Sequence, residues 1–244
     1  MDICNDLFSP LIPSGSTMPV DFMSIRRFAI PDIHGCALSF AALLHDVLRI
    51  RTSDRVYLLG DYIDRGPRSR EVVDHIVELR DKGFSILPLR GNHDDMLLRA
   101  CGDLDFFRVW MLNGGGATLK SFDVDEPCDI PLSYRRFFNT LPFYLELDDY
   151  ILVHAGFNFL ADDPFSDKEA MLWTRTREVN SALIGRKKVI IGHTPVSRET
   201  IKHSLESDLI LLDNGCVYTS RDYLGTLAAL NLDTRSLYFQ KNID

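Results

Sequence analysis

Five short apolar runs in this chain each end in residues able to hold a metal ion. Asp32 and His34 follow the first, Asp61 the second, Asn92 and His93 the third, His154 the fourth and His193 the fifth. A single Asp after a strand is ordinarily a helix cap, and a single His there is ordinarily a hydrogen-bonding residue. Yet four of the seven histidines directly follow apolar runs beside glycine, a pattern that independent placement explains poorly. Asp32, Asp61, Asn92, His34, His154 and His193 together offer carboxylates, an amide oxygen and neutral imidazoles. That mixed oxygen and nitrogen set suits manganese, iron or zinc. A carboxylate in such a set can bridge two ions about 3.5–4 Å apart, and both can then grip one phosphoryl group.

The set works only if the strand ends converge, as the carboxyl ends of an open α/β sheet do. Residues 28–30, 56–59 and 84–89 are short apolar runs. Between them lie helical repeats: Phe40, Leu44, Val47 and Leu48, then Val72, Val73, Ile76, Val77 and Leu79, the second closed by Lys82-Gly83. Strands alternating with helices imply right-handed crossovers and a parallel arrangement. Residues 94–141 read as mostly helical, interrupted at 113–116 and 127–131. A hairpin is predicted from 143–147 and 150–153 around Asp148-Asp149. Later strands are expected at 188–191, 209–212, 225–230 and 236–239. The front half is therefore βαβ and the back half is strand-rich. Residues 1–24, with Pro10, Pro13, Gly15 and Pro19 and no sustained period, are expected to be a flexible N-terminal arm. Residues 25–244 are expected to form a single domain.

Composition narrows the classes. The 244 residues are 45% hydrophobic and 25% charged, which argues for a packed core rather than a disordered chain. A net charge of −8 argues against a general affinity for nucleic acid or anionic membrane, although a local basic pocket is compatible with it. No apolar stretch approaches the roughly 18 residues of a membrane helix. The first 20 residues carry no Lys or Arg, so no secretory signal is expected and the chain reads as cytoplasmic. Cys4, Cys36, Cys101, Cys128 and Cys216 are odd in number and widely spaced, and are expected to be isolated reduced thiols.

The segments Asp32-Ile33-His34-Gly35, Gly60-Asp61-Tyr62-Ile63-Asp64-Arg65-Gly66, Gly91-Asn92-His93-Asp94, His154-Ala155-Gly156 and Gly192-His193 stand in a distinctive order and spacing. They resemble the phosphoprotein phosphatase family of metallophosphoesterases, above all its small bacterial and phage branch of serine/threonine phosphatases. The symmetrical diadenosine tetraphosphatases are related to that branch. The motifs span about residues 26–216. The resemblance implies an α/β calcineurin-like fold with two packed mixed sheets flanked by helices. It implies two divalent ions, manganese first with iron or zinc as alternatives. Asp32, His34 and Asp61 would hold one ion, and Asp61, Asn92, His154 and His193 the other. His93 would be a general acid oriented by Asp64, and Arg65 a phosphate clamp. Trp173-Thr174-Arg175 resembles the segment that supplies a second phosphate-binding arginine, Arg175. Asn92 would also face the substrate. Pro31 and Asp94 depart from the family pattern, where Gly and Glu are frequent. Asp213 is expected to be structural or to support a ligand, Arg68 and Arg70 to lie on a solvated helix face, and His45, His75 and His203 to carry no chemistry.

The implied reaction is direct attack on phosphorus by a hydroxide bridging the two ions, with the arginines offsetting charge on the equatorial oxygens. Phosphoserine or phosphothreonine on proteins is the first expectation for substrate, without an obligatory regulatory subunit. Symmetrical hydrolysis of dinucleoside tetraphosphates is the alternative. A metal-stabilised binding module is disfavoured, because metal binding alone does not need His93, Asp64 and Arg65. Specificity is expected in the loops 103–131 and 157–177. There Asp103, Asp105, Asp123, Asp125 and Glu126 disfavour a polyphosphate. Phe106, Phe107 and Trp110 read as core rather than as a stacking platform, and Phe157, Phe159 and Trp173 remain on offer.

Overall fold

A computed structural model describes residues 25–175 and 177–244; the expected arm at 1–24 lies outside the described residues, as does Cys4. The front half runs β1 (Arg27–Ile30), α1 (Ala37–Ala42), β2 (Arg55–Leu58), α2 (Ser69–Asp81), β3 (Ser85–Pro88) and α3 (Asn92–Ala100). Three further helices follow, α4 (Leu104–Leu112), α5 (Gly115–Phe122) and α6 (Leu132–Thr140). The back half runs β4 (Tyr144–Glu146), β5 (Tyr150–Val153), α7 (Lys168–Trp173), β6 (Lys188–Ile191), α8 (Arg198–Ser204), β7 (Leu209–Leu211), β8 (Thr226–Asn231) and β9 (Leu237–Lys241).

The strands form two mixed sheets. One has the order β3-β2-β1-β8-β9 and the other β4-β5-β6-β7. β1, β2 and β3 are parallel, as are β5, β6 and β7, whereas β8 runs against β1 and β4 against β5. Side chains alternate across a strand, and here each face has its own partner. Phe28, Ile30, Val56, Leu58 and Ile86 pack with Leu44, Val72, Ile76, Met96 and Trp110 from the helical layer. Ala29, Tyr57, Leu59 and Leu89 face the other way and pack with Ile151, Leu152, Ile190 and Ile210 of the second sheet. Both faces of the front sheet are thus buried, which is why its strands read as short continuous apolar runs.

Two expectations shift. The helix expected through Leu48 continues from α1 as a wider π-helical stretch, Leu43–Leu48, and stops at Arg49, whose φ is +48°. The break expected across 113–116 is confined to Asn113 and Gly114, where φ is +105°; Gly115 and Gly116 lie inside α5. No described cysteine is in a disulfide. They are less isolated than expected, since Cys36 and Cys216 both approach the Asn242 amide nitrogen, at 3.4 and 3.9 Å. Among the described residues no helix is long and apolar enough to cross a membrane.

Candidate metal centre

The carboxyl ends of β1, β2 and β3 and those of β5 and β6 meet at one edge of the two sheets. Asn92 and His93 open helix α3 and Arg175 follows helix α7, while Asp32, His34, Asp61, His154 and His193 lie in loops just beyond a strand. The backbone there is unusual: His34, Asp61, Asp64, Arg65 and His193 all have φ between 47° and 72°. For residues with a Cβ this left-handed region costs about 1–2 kcal/mol each, and such strain gathers at functional sites. Two glycines make the crowding feasible. A Cβ on Gly91 would lie 2.1 Å from Asp61 Oδ1, and one on Gly192 would lie 2.2 Å from Asp32 Oδ1.

Asp61 is the pivot of two ligand clusters, His34–Asp61–His93 and Asp61–His154–His193, whose donor atoms lie within 4.8 Å of one another in each cluster. Asp61 Oδ2 is 3.6 Å from His34 Nε2, 4.0 Å from His93 Nε2 and 3.5 Å from His154 Nε2. Asn92 Oδ1 lies 2.8 Å from His154 Nε2 and 3.0 Å from His193 Nδ1. Asp32 stands at the back, 3.9 Å from His34 Nε2, and accepts from the His193 amide at 2.9 Å. All six expected ligands, with His93, Asp64 and Arg65, are brought together. Arg175 stands at the rim, where Nη1 donates to Thr194 Oγ1 at 3.1 Å.

Proton positions follow from the hydrogen bonds. His34 Nδ1 donates to the Ile63 carbonyl at 2.9 Å, and His154 Nδ1 to the Leu59 carbonyl at 2.9 Å. A neutral imidazole has one N–H, so the Nε2 lone pairs of both turn toward Asp61. His154 Nε2 therefore faces Asn92 Oδ1 and Asp61 as acceptor against acceptor, a contact that a cation between them relieves. The buried Nε2 of His193 meets no partner among the described residues, whichever nitrogen carries the proton. Burial holds His34 and His154 below the ordinary histidine value and pushes His193 down to about 3, keeping all three neutral as metal binding requires. Burial, then repulsion from Asp213 and Asp61, pushes Asp32 well above the carboxylate range, and burial lifts Asp213 to about 7. Crowded carboxylates and inward lone pairs are a donor set that fits two divalent ions. Tethering the far imidazole nitrogen to a carbonyl is the support metal-bound histidines ordinarily have.

Similarity to known proteins fixes the class. Residues 25–223 match the family described as calcineurin-like phosphoesterase. The chain belongs to that family. It is a metal-dependent phosphoesterase, with the two-sheet α/β fold of the metallophosphoesterases. The asymmetrical bis(5'-nucleosyl)-tetraphosphatase PrpE of Bacillus velezensis is 28% identical over 78% of this chain and 84% of its own length. The symmetrical bis(5'-nucleosyl)-tetraphosphatase of Nitrosospira multiformis is 34% identical over 53% of this chain, which spans only 42% of that relative. A protein serine/threonine phosphatase of Saccharomyces cerevisiae with similarity to human phosphatase PP5 superposes with a TM-score of 0.66 at 15% identity. The match covers 90% of this chain and 81% of that one, and is a likeness of fold.

Several residues of the phosphoesterase site escaped the reading of motifs. Asp64, fully buried, receives His93 Nδ1 at 2.6 Å, Trp110 Nε1 at 2.8 Å and the Thr118 hydroxyl at 2.6 Å. Trp110 is core, as its spacing implies, but its indole N–H also fixes the partner of His93. A buried Trp ordinarily finds an acceptor; sequence could say that one exists, not which. Asp94 accepts from the amides of Asp61 at 3.0 Å and Gly91 at 2.9 Å, clamping two ligand loops together despite the departure from Glu. Tyr218 lies with its ring 5.6 Å from the Arg65 guanidinium. Arg65 itself meets His34 Nε2 and donates to His93 Nε2 at 2.8 Å. Arg68 and Arg70 pair with Glu71 at 2.9 Å and Asp74 at 3.5 Å on an exposed helix face.

Proposed function

We propose that this phosphoesterase hydrolyses dinucleoside tetraphosphates, a substrate class that the sequence analysis placed second and there as symmetrical hydrolysis. The observation that carries the reading is the similarity to an asymmetrical bis(5'-nucleosyl)-tetraphosphatase, over 78% of this chain and 84% of that relative. The yeast serine/threonine phosphatase, at 15% identity, is a likeness of fold alone. The charge argument against a polyphosphate also weakens. Asp103 caps α4, accepting from the Asp105 amide at 2.8 Å, and Asp105 pairs with Arg108 at 3.0 Å. Both charges are locally engaged.

Asp32, His34 and Asp61 would hold one ion and Asp61, Asn92, His154 and His193 the other, with manganese the first choice and iron or zinc the alternatives. When bound, the ions supply Lewis acidity and generate a nucleophile from water near neutral pH. The remaining chemistry belongs to side chains. Arg65 and Arg175 offer guanidinium donors to the phosphate oxygens and offset their charge in the transition state. Asn92 faces the same space. His93 is held through Nδ1 by Asp64, so Nε2 is the atom that can carry a proton to a departing oxygen. A phosphoanhydride leaves as a stabilised phosphate and needs that proton less than an alkyl ester does.

The test compares kcat/KM for diadenosine tetraphosphate and for a phosphoserine peptide, with manganese restored after chelation. The dinucleotide is expected to exceed the peptide by about tenfold or more, a gap of roughly 1.4 kcal/mol in transition-state stabilisation. The reverse preference would return the protein phosphatase reading to first place.

A further inference from the structure

A hollow of about 540 Å³ lies beside the metal centre, between the segment that follows His154 and helix α7. Phe157, Phe159 and Trp173 line it, with Asn158, Asp167 and Glu169 as its polar side. Its size falls within the range of small-ligand pockets. Trp173 connects it to the metal ligands, with its ring centroid 6.5 Å from that of His193 at an interplanar angle of 84°. Phe157 is buried and braces the wall, 6.0 Å from Phe159 and 5.3 Å from Phe165.

The chemistry of the lining selects its occupant. Among the described residues no Lys or Arg lines the hollow, and Asp167 and Glu169 repel phosphate. The polyphosphate chain is therefore not what lies there. Its polar groups are also largely engaged. Asp167 accepts from the Ala170 amide and from Asn158 Nδ2, each at 3.0 Å, while Glu169 pairs with Arg99 at 3.0 Å. What remains is flat aromatic surface with acceptors at its margin. A neutral planar group with N–H donors fits that surface.

We infer that this hollow seats one nucleobase of the substrate, stacked against Trp173 and Phe159, and that the seat decides which phosphorus is attacked. The inference rests on the dinucleotide reading above. The Trp173 ring lies 6.5 Å from that of His193, so a base seated against Trp173 would stand about a ribose's length from the metal ligands. The phosphorus carried to the centre is then the first of the chain. Water oxygen bonds to that phosphorus, and its bond to the first bridging oxygen breaks. The bridging oxygen departs with the nucleoside triphosphate, and two protons are released to solvent. Diadenosine tetraphosphate thus yields AMP and ATP, and attack at the second phosphorus would instead yield ADP. Recognition by stacking is tolerant of base identity, so guanine and cytosine dinucleotides are substrates too.

Tryptophan fluorescence tests the seat without relying on turnover, since the chain has two tryptophans and Trp110 is buried. AMP added to the metal-loaded protein is expected to quench emission, ribose 5-phosphate is not, and Trp173→Leu removes the response. In Phe159→Leu, the ratio of kcat/KM on diadenosine tetraphosphate to that on p-nitrophenyl phosphate is expected to fall by about tenfold or more, mainly through KM. Trp173→Phe, which keeps a stacking face, should hold most of that ratio. In ¹⁸O-water the label should enter AMP. Unchanged ratios in Phe159→Leu, equal quenching by ribose 5-phosphate, or ADP as the product would each overturn the seat while leaving the dinucleotide reading standing. Hydrolysis of the phosphopeptide with none of the dinucleotide would overturn both.

Discussion

His93 shows how far residue types carry and where they stop. Its place in Gly91-Asn92-His93-Asp94 marks it for chemistry, and its bond to Asp64 at 2.6 Å gives the proton-carrying nitrogen its direction. The donors behind Asp64 could not be read, because Trp110 lies 46 residues away in sequence and Thr118 lies 54 away. His93→Asn is expected to lower turnover on an alkyl phosphate by roughly 10²–10⁴. The loss should shrink on an aryl ester or a phosphoanhydride, whose leaving groups need little protonation. Equal losses across leaving groups would make His93 a positioning residue. Trp110→Phe removes one donor from Asp64 and is expected to cost about tenfold in turnover, with the same leaving-group dependence. A loss that ignores the leaving group would mean that Trp110 only packs.

At the scale of elements, period and punctuation placed β1, β2 and β3 and the helices between them, because those contacts are local and both strand faces are buried. Pairing of β1 with β8 was beyond reach, since nothing local in 226–231 names its partner some 200 residues earlier. The glycine run at 113–116 misled for a physical reason. Only Gly114 breaks the helix; Gly115 is needed where a Cβ would meet the Trp110 ring at 2.5 Å. The start of the front sheet is pinned by Asp54, which accepts from Arg26 Nε at 3.0 Å and the Arg51 amide at 2.8 Å. Burial works against this charge, but the bonds from Arg26 and Arg51 more than offset it and hold the carboxyl below the usual range. A depressed folded-state value gives stability that is present above the ordinary carboxylate value and lost as pH falls through the folded one. Asp54→Asn is expected to destabilise the protein by about 1–3 kcal/mol at pH 7. Denaturant unfolding of both proteins should show the gap narrowing as pH falls below the ordinary carboxylate value and through the lower folded-state one. A gap independent of pH would contradict the charge-assisted role.

For the whole molecule, the net charge of −8 disfavours broad anion-binding surfaces but says nothing about a site where acids are gathered to hold cations. Buried carboxylates and inward lone pairs are costly in the folded chain unless ions join them, so ions bind the native state and stabilise it. Chelation is accordingly expected to lower Tm, and manganese to raise it with concentration. An unchanged Tm across that titration would argue against ion binding at the centre. Asp61 is expected to serve two ions at once, and hydrolysis to depend on both. Elemental analysis and turnover on the same preparation test it, for the wild type and for Asp61→Asn. About two divalent ions are expected per wild-type chain and at most one in Asp61→Asn, with a larger loss of turnover than any other single ligand change causes. Two ions and near wild-type hydrolysis in Asp61→Asn, or full hydrolysis by metal-free wild type, would contradict it.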